Sequence, residues 1–155
     1  MSLLGHDPGG PAAWIGDLPV KSRYTFGVAG ERFFRAIMDD GVIMGSVCPD
    51  CDLTYVPARI FCERCMAELD QWTDVGTHGE VHSFTILFVD KDGTPLEKPE
   101  IVAFIRIGDG GLIHRLEEIE PEHVEFGMAV EAVFKAKKDR EGSILDITHF
   151  RPEKN

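Results

Sequence analysis

The chain has 155 residues, of which 43% are hydrophobic and 28% charged, with a formal net charge of −11. That length fits one domain, or two small ones, with a sizeable core, and the composition excludes a disordered or fibrous chain. The acidic balance repels phosphate backbones and anionic lipid, and the apolar run FTILFV is far too short to span a bilayer, so neither nucleic acid nor a membrane is the expected partner.

The first residues, Met1 to Pro19, are dense in glycine and proline and read as a flexible arm. They lack a basic segment followed by a long apolar run, so no secretory signal is expected and the cytoplasm is the expected compartment. Over 27–41 the sequence GVAGERFFRAIMDDG predicts a helix. Phe33, Phe34, Ile37 and Met38 recur at helical spacing, and Gly41 is a suitable stop. This stripe has two readings, as core of its own domain or as a face for a partner. The segments that follow do not clearly need a separate helix to cover them. Phe33, Phe34, Ile37 and Met38 are therefore candidate partner-interface residues.

All four cysteines lie within residues 48–65, spaced C-x2-C-x10-C-x2-C: Cys48, Cys51, Cys62 and Cys65. Two residues between thiols let one tight turn aim both sulfurs at one point, and two such turns supply the tetrahedral set of a closed structural Zn²⁺ site. One Zn²⁺ per chain is expected. Iron in a rubredoxin-like site has the same ligands, but no partner redox motif accompanies it here. Disulfides need an oxidising compartment, for which the N-terminus gives no sign. The intervening DLTYVPARIF predicts a short hairpin, with Tyr55 and Val56 before the turn and Ile60 and Phe61 after it. The residues after the second cysteine of each pair, Asp52 and Met66, occupy positions where a positive φ is useful. Methionine adopts that conformation poorly, so the second turn is expected to be the less regular one. A closed four-sulfur site leaves no open coordination position and is not catalytic.

Beyond the cysteines the character becomes β. The segments 80–89, 101–107, 112–119, 129–136 and 143–150 are short, rich in β-branched and aromatic residues, and separated by the turn-rich DKDGTP, GDGG and DREG. Between the third and fourth lies EPEHVEFGM, with Pro121 placed to start a short helix and Gly127 to end it. Five strands with a helix between the third and fourth is the layout of an OB-fold barrel. The fold class is thus mainly β: an N-terminal helical segment, a rubredoxin-like zinc ribbon, then a five-stranded OB-fold. The expected divisions are 1–43 (arm and helix), 44–72 (ribbon) and 73–155 (barrel).

With those elements in place, the chain resembles the zinc-ribbon and OB-fold acyl-CoA-associated family, long catalogued as domain of unknown function thirty-five. The stretch GSVCPDCDLTYVPARIFCERC is similar to the family's ribbon, keeping Pro57 and Arg59 of its Pro-Pro-Arg but with Ala58 between them. GTHGEVHSFTI, with Gly79 and Thr85, is similar to the start of its barrel. FGMAVEAVF, with Gly127, Met128 and Val130, resembles its Gly-aliphatic-x-Val stretch, and FRP at 150–152 its ending. The resemblance runs from about residue 24 to 152. It implies a non-catalytic accessory subunit in a hetero-oligomer with a thiolase-type enzyme. A role in aromatic or other acyl-CoA degradation is one implied setting, with a CoA thioester bound jointly with the partner.

The residues agree that catalysis is not expected. No Ser-centred elbow, Gly-rich phosphate loop or His-Glu-x-x-His is present, and the thiols are committed to metal. The histidines His6, His78, His82, His114, His123 and His149 are scattered, and no residue is assigned to cofactor binding. The run Glu117, Glu118, Glu120, Glu122 and Glu125 reads as a solvated face or one that meets a basic partner. The alternatives are a single-stranded nucleic-acid-binding OB-fold, which offers Phe104, Arg106 and Arg115 against Glu117 and Glu118, and a free-standing enzyme acting on a CoA thioester.

Overall fold

A computed structural model of the chain describes residues 25–90 and 92–153, so the arm expected over Met1 to Pro19 lies outside the described residues. The helix α1 spans Gly27–Asp39. Its outer side carries an exposed ion pair one turn apart, Arg35 to Glu31 at 2.8 Å. It stops as its sequence suggests. Gly41, at φ +70°, donates its N–H to the carbonyls of Ala36 and Ile37 at 2.9 and 3.2 Å, a left-handed closure that suits glycine.

The inner side of α1 corrects one expectation. Phe33 and Ile37 do not face outward. They are 3% and 0% exposed and belong to the chain's own core, with Ile43, Val56, Val81, Ile105 and Phe150. The reason is that the barrel and ribbon leave an apolar seam between them, and α1 lies over it, touching the first ribbon strand and a turn at Ile144–Asp146. Phe34 and Met38 are half-buried on the flank of the helix.

The ribbon is a three-stranded antiparallel sheet of β1 (Met44–Cys48), β2 (Leu53–Tyr55) and β3 (Gln71–Asp74), in the order β2-β1-β3. The hairpin expected between the cysteine pairs does not form. Leu53–Tyr55 pairs back on β1, with Leu53 opposite Cys48 and Tyr55 opposite Ser46, because the left-handed Asp52 (φ 52°) reverses the chain directly after Cys51. Phe61 instead bridges Glu68.

The barrel consists of β4 (His78–Val89), β5 (Pro95–Ile107), β6 (Gly110–Leu116), β7 (Ala129–Phe134) and β8 (Ile147–Pro152), closed in the order β4-β5-β6-β8-β7. Strand periodicity follows the alternation of the sequence. Ile101, Ala103, Ile105 and Ile107 of β5 point inward, as do Leu112, His114 and Leu116 of β6. Two expected elements differ. The short helix near residue 121 is a single 3-10 turn, Pro121–His123. The last expected strand, 143–150, opens with a 3-10 turn at Ile144–Asp146, and the strand proper begins at Ile147.

Ribbon and barrel are joined by backbone. The Thr54 N–H donates to the Asp109 carboxylate at 2.8 Å, and the Gly111 N–H donates to the Val56 carbonyl at 2.9 Å. At Gly110 a β-carbon would stand 2.3 Å from the Val56 carbonyl oxygen, so only glycine permits this approach.

Asp146 explains the interrupted last strand. It is fully buried, and its Oδ2 accepts the N–H groups of Glu141, Gly142 and Ser143 at 2.9, 2.7 and 3.1 Å, while Lys135 Nζ lies 3.4 Å from Oδ1. Burial pushes its carboxyl up, but those backbone donors and Lys135 pull it below the ordinary carboxylate range. A continuous strand here would leave the three N–H groups without their acceptor. Asp146→Asn is expected to destabilise the chain by about 2 kcal/mol in urea unfolding. Because the folded carboxyl is depressed, its contribution is present above about pH 4 and is lost as pH falls through the lower folded value. The variant's stability should therefore fall less steeply below pH 4 than that of the natural chain.

Candidate metal centre

Cys48 closes β1 and Cys51 follows in its turn, while Cys62 and Cys65 sit in a second turn of the same form. That second turn is more regular than the sequence suggested. Met66 adopts φ 62°, its N–H reaches the Cys62 carbonyl at 2.9 Å, and the Cys62 N–H reaches the Ala67 carbonyl at 2.9 Å. The Met66 side chain is 73% exposed, so nothing packs against it to compensate the backbone strain.

The two turns bring the four sulfurs within 4.8 Å of one another. Cys48 Sγ and Cys65 Sγ are 3.6 Å apart. A tetrahedral ion with metal–sulfur bonds of about 2.3 Å needs sulfur–sulfur edges of about 3.8 Å, so the donor set fits Zn²⁺. Cys48 and Cys62 are buried, Cys51 is half-buried and Cys65 is exposed.

The electrostatics suit a bound cation. Burial pushes the Cys48 thiol up, and burial and the neighbouring thiols push Cys51 to about 12. Cys62 alone is drawn down, to about 6, first by the Tyr55 hydroxyl 3.2 Å from its sulfur and then by backbone N–H groups, that of Arg64 at 3.4 Å among them. Four thiolates at this separation repel one another, and a bound dication removes that penalty. Tyr55 is a residue the sequence reading placed only on a strand. Its hydroxyl accepts the Glu63 N–H at 3.2 Å and donates to Cys62, linking β2 to the second turn. Its position between the cysteine pairs was the available signal.

The chain matches two family models. One, described as the ChsH2 rubredoxin-like zinc ribbon domain, covers residues 35–69. The other, described as the ChsH2 C-terminal OB-fold domain, covers residues 72–135. A crystal structure from Sulfolobus solfataricus, described as a protein of unknown function from the DUF35 family, is 32% identical to this chain. It superposes with a TM-score of 0.59, over 69% of this chain and 78% of that one. The chain belongs to the DUF35 family. Two proteins described as DUF35 domain-containing scaffold proteins are each 27% identical to it. The one from Methanocaldococcus jannaschii aligns over 80% of this chain and 91% of its own length, and the one from Pyrococcus furiosus over 79% and 91%. A solved structure described as the Ltp2-ChsH2(DUF35) aldolase shares the fold at a TM-score of 0.59 and 20% identity, over 84% of this chain and 98% of that one.

Elsewhere, the family fold disperses the other polar residues. His114 is buried, with Nδ1 accepting the Arg115 N–H at 2.9 Å and Nε2 facing the Ile144 carbonyl at 3.4 Å; burial holds its pKa below the ordinary histidine value. His78 pairs with Glu153 at 2.7 Å, His149 lies 3.3 Å from Glu118, and the ring of His82 rests on Phe104. Among the described residues, the four cysteines form the one cluster suited to a metal ion. No described helix is long and apolar enough to cross a membrane.

Elemental analysis of the purified chain is expected to give about one zinc per chain and little iron. Cys48→Ser should lose the metal and unfold the ribbon, since binding there is folding energy. Red, iron-loaded protein from zinc-replete cells is the contrary outcome. Met66→Gly should relieve the left-handed strain and raise stability by about 0.5–1 kcal/mol, read as a higher urea midpoint for the zinc-loaded chain.

Proposed function

We propose that this chain is a non-catalytic, zinc-containing scaffold subunit that holds a thiolase-type acyl-CoA enzyme in a hetero-oligomer and stands beside the opening through which the CoA thioester passes. The observation that carries the reading is the use made of the reactive groups. All four thiols converge on one closed structural site. His114 has both ring nitrogens turned to backbone, leaving neither free for proton transfer. The curated relatives described as scaffold proteins support the same role. The acyl-CoA connection and the thiolase type rest on the family resemblance of the ribbon and barrel motifs. Four free thiols also suit a reducing cytoplasm.

The outer flank of α1 is part of the proposed interface. Phe34 meets Phe26 edge-to-face at 5.1 Å, and Phe26 is 62% exposed. With Met38 these residues form the apolar surface that the helix leaves uncovered, whereas Phe33 and Ile37 support it from below.

The nucleic-acid alternative is weakened by the pairing of its cations. Arg106 is bound to Glu80, and Arg115 lies 3.7 Å from Glu100. Strands β5 and β6 therefore offer Lys98 rather than a basic track to a phosphate backbone.

Co-expression with a thiolase-type enzyme from the same genome should yield a complex that co-elutes in gel filtration. The isolated chain should turn over no acyl-CoA thioester. Phe26→Asp with Phe34→Asp should weaken co-elution at least tenfold while zinc content is retained. Thiolysis or hydrolysis by the pure chain, abolished by a single substitution, or tight binding of single-stranded DNA at low salt, overturns the reading.

A further inference from the structure

Strand β4 is longer than the barrel needs. On the side facing β7 it is paired only at its start: His78, Gly79 and Glu80 pair with β7, and Val81 exchanges hydrogen bonds with Met128 and Gly127 at 2.9 and 2.8 Å. From His82 to Val89 no described strand pairs with that edge. The other edge of the same hairpin is β5, which extends from Pro95 to Glu100 beyond its pairing with β6.

These two edges are built differently. The β5 edge carries Pro95, Glu97, Lys98, Pro99 and Glu100, and its register is broken between the pairs Leu87–Glu100 and Val89–Pro95. Proline, charge and a bulge are the devices that keep a strand edge from pairing. The β4 edge, HSFTILFV, has no proline and no charged side chain, and its one irregularity, between Val81 and Ser83, is confined to its near end. Leu87, Phe88 and Val89 are 38, 62 and 48% exposed. Successive side chains of a strand point to opposite faces, so exposure of all three means that neither face of this arm is covered. An isolated two-stranded ribbon is marginal in water. Where the β7 pairing ends, Phe126, 74% exposed, tilts onto Phe84 with ring centroids 5.4 Å apart, extending the apolar strip along the same open slot.

We propose that the slot beside β4, from His82 to Val89, receives an extended strand of the enzyme partner, added antiparallel or parallel to the barrel sheet in continuation of the position of β7. This rests on the scaffold reading above and names the surface it uses. The charge pattern selects the occupant. The edge itself is uncharged, but its near end is flanked by Glu125 and its far end by Asp90. An antiparallel second copy would set acid against acid at both ends, on top of −11 per chain. A strand with alternating apolar side chains and Lys or Arg at its ends meets both requirements, with main-chain hydrogen bonds for affinity and the apolar strip for specificity.

The test is backbone amide exchange of the full zinc-loaded chain, alone and bound to the thiolase-type enzyme from the same genome. In the free chain, alternate amides between His82 and Val89 should exchange fast. In the complex those amides should slow at least tenfold. Leu87→Lys with Phe88→Lys, both on exposed side chains, should raise the dissociation constant at least tenfold while zinc content and circular dichroism stay unchanged. A complex that forms with β4 exchange unaltered overturns strand addition and leaves the scaffold reading standing. Failure of the natural chain to form any complex overturns both. A homodimer of the free chain with the same amides protected overturns the choice of occupant.

Discussion

Four sulfurs within 4.8 Å of one another set the terms for the N-terminal half of this protein. The ribbon's own apolar cluster is little more than Cys48, Cys62 and Leu69, with Cys51 and Tyr55 beside it. So small a core does not outweigh the entropy of ordering the chain. The thiols supply the rest only when a dication lets all of them ionise together. Tyr55 and the backbone N–H groups of the second turn prepare Cys62 for that state. Metal and ribbon fold are one event, and β1, held by that event, is the surface on which α1 rests.

The barrel is organised on a different principle. Its interior is aliphatic, with Val81, Ile105, Leu116, Val130, Ile147 and Phe150 buried, and it needs no metal to close. What it does need is a way to bring β8 back to β6 and β7. The buried carboxylate of Asp146 provides it by gathering three N–H groups of the preceding loop and turning the chain into β8. Among the described residues, the barrel thus spends its one fully buried carboxylate on topology.

Much of this was legible in the sequence. The cysteine spacing pointed to the four ligands, and alternating apolar residues located the barrel strands, because both are local patterns with fixed geometric meaning. The larger misses were tertiary. The cysteine-to-cysteine segment has the composition of a hairpin, yet Asp52 sends Leu53 onto β1, a partner lying before the first cysteine. The stretch 143–150 alternates well enough to be one strand, and the three N–H groups that the buried Asp146 gathers break it. The stripe of α1 repeats at helical spacing whichever body covers it. Only the seam between ribbon and barrel decides that Phe33 and Ile37 turn inward while Phe34 and Met38 stay at the flank. The open edge of β4 was invisible for the same reason, since a strand's sequence does not state which of its edges finds a neighbour.

The contact at Gly110 fixes the ribbon against the barrel. One main-chain bond, one bond from the Thr54 N–H to the Asp109 carboxylate and an approach that leaves no space for a methyl group fuse the β5–β6 turn to the end of β2. There is no slack at that seam for the ribbon to pivot on. Points on the ribbon and points on the barrel therefore keep a constant separation, and the molecule behaves as a ruler: any two bodies that grip its two ends are spaced by its length rather than by their own affinity for each other.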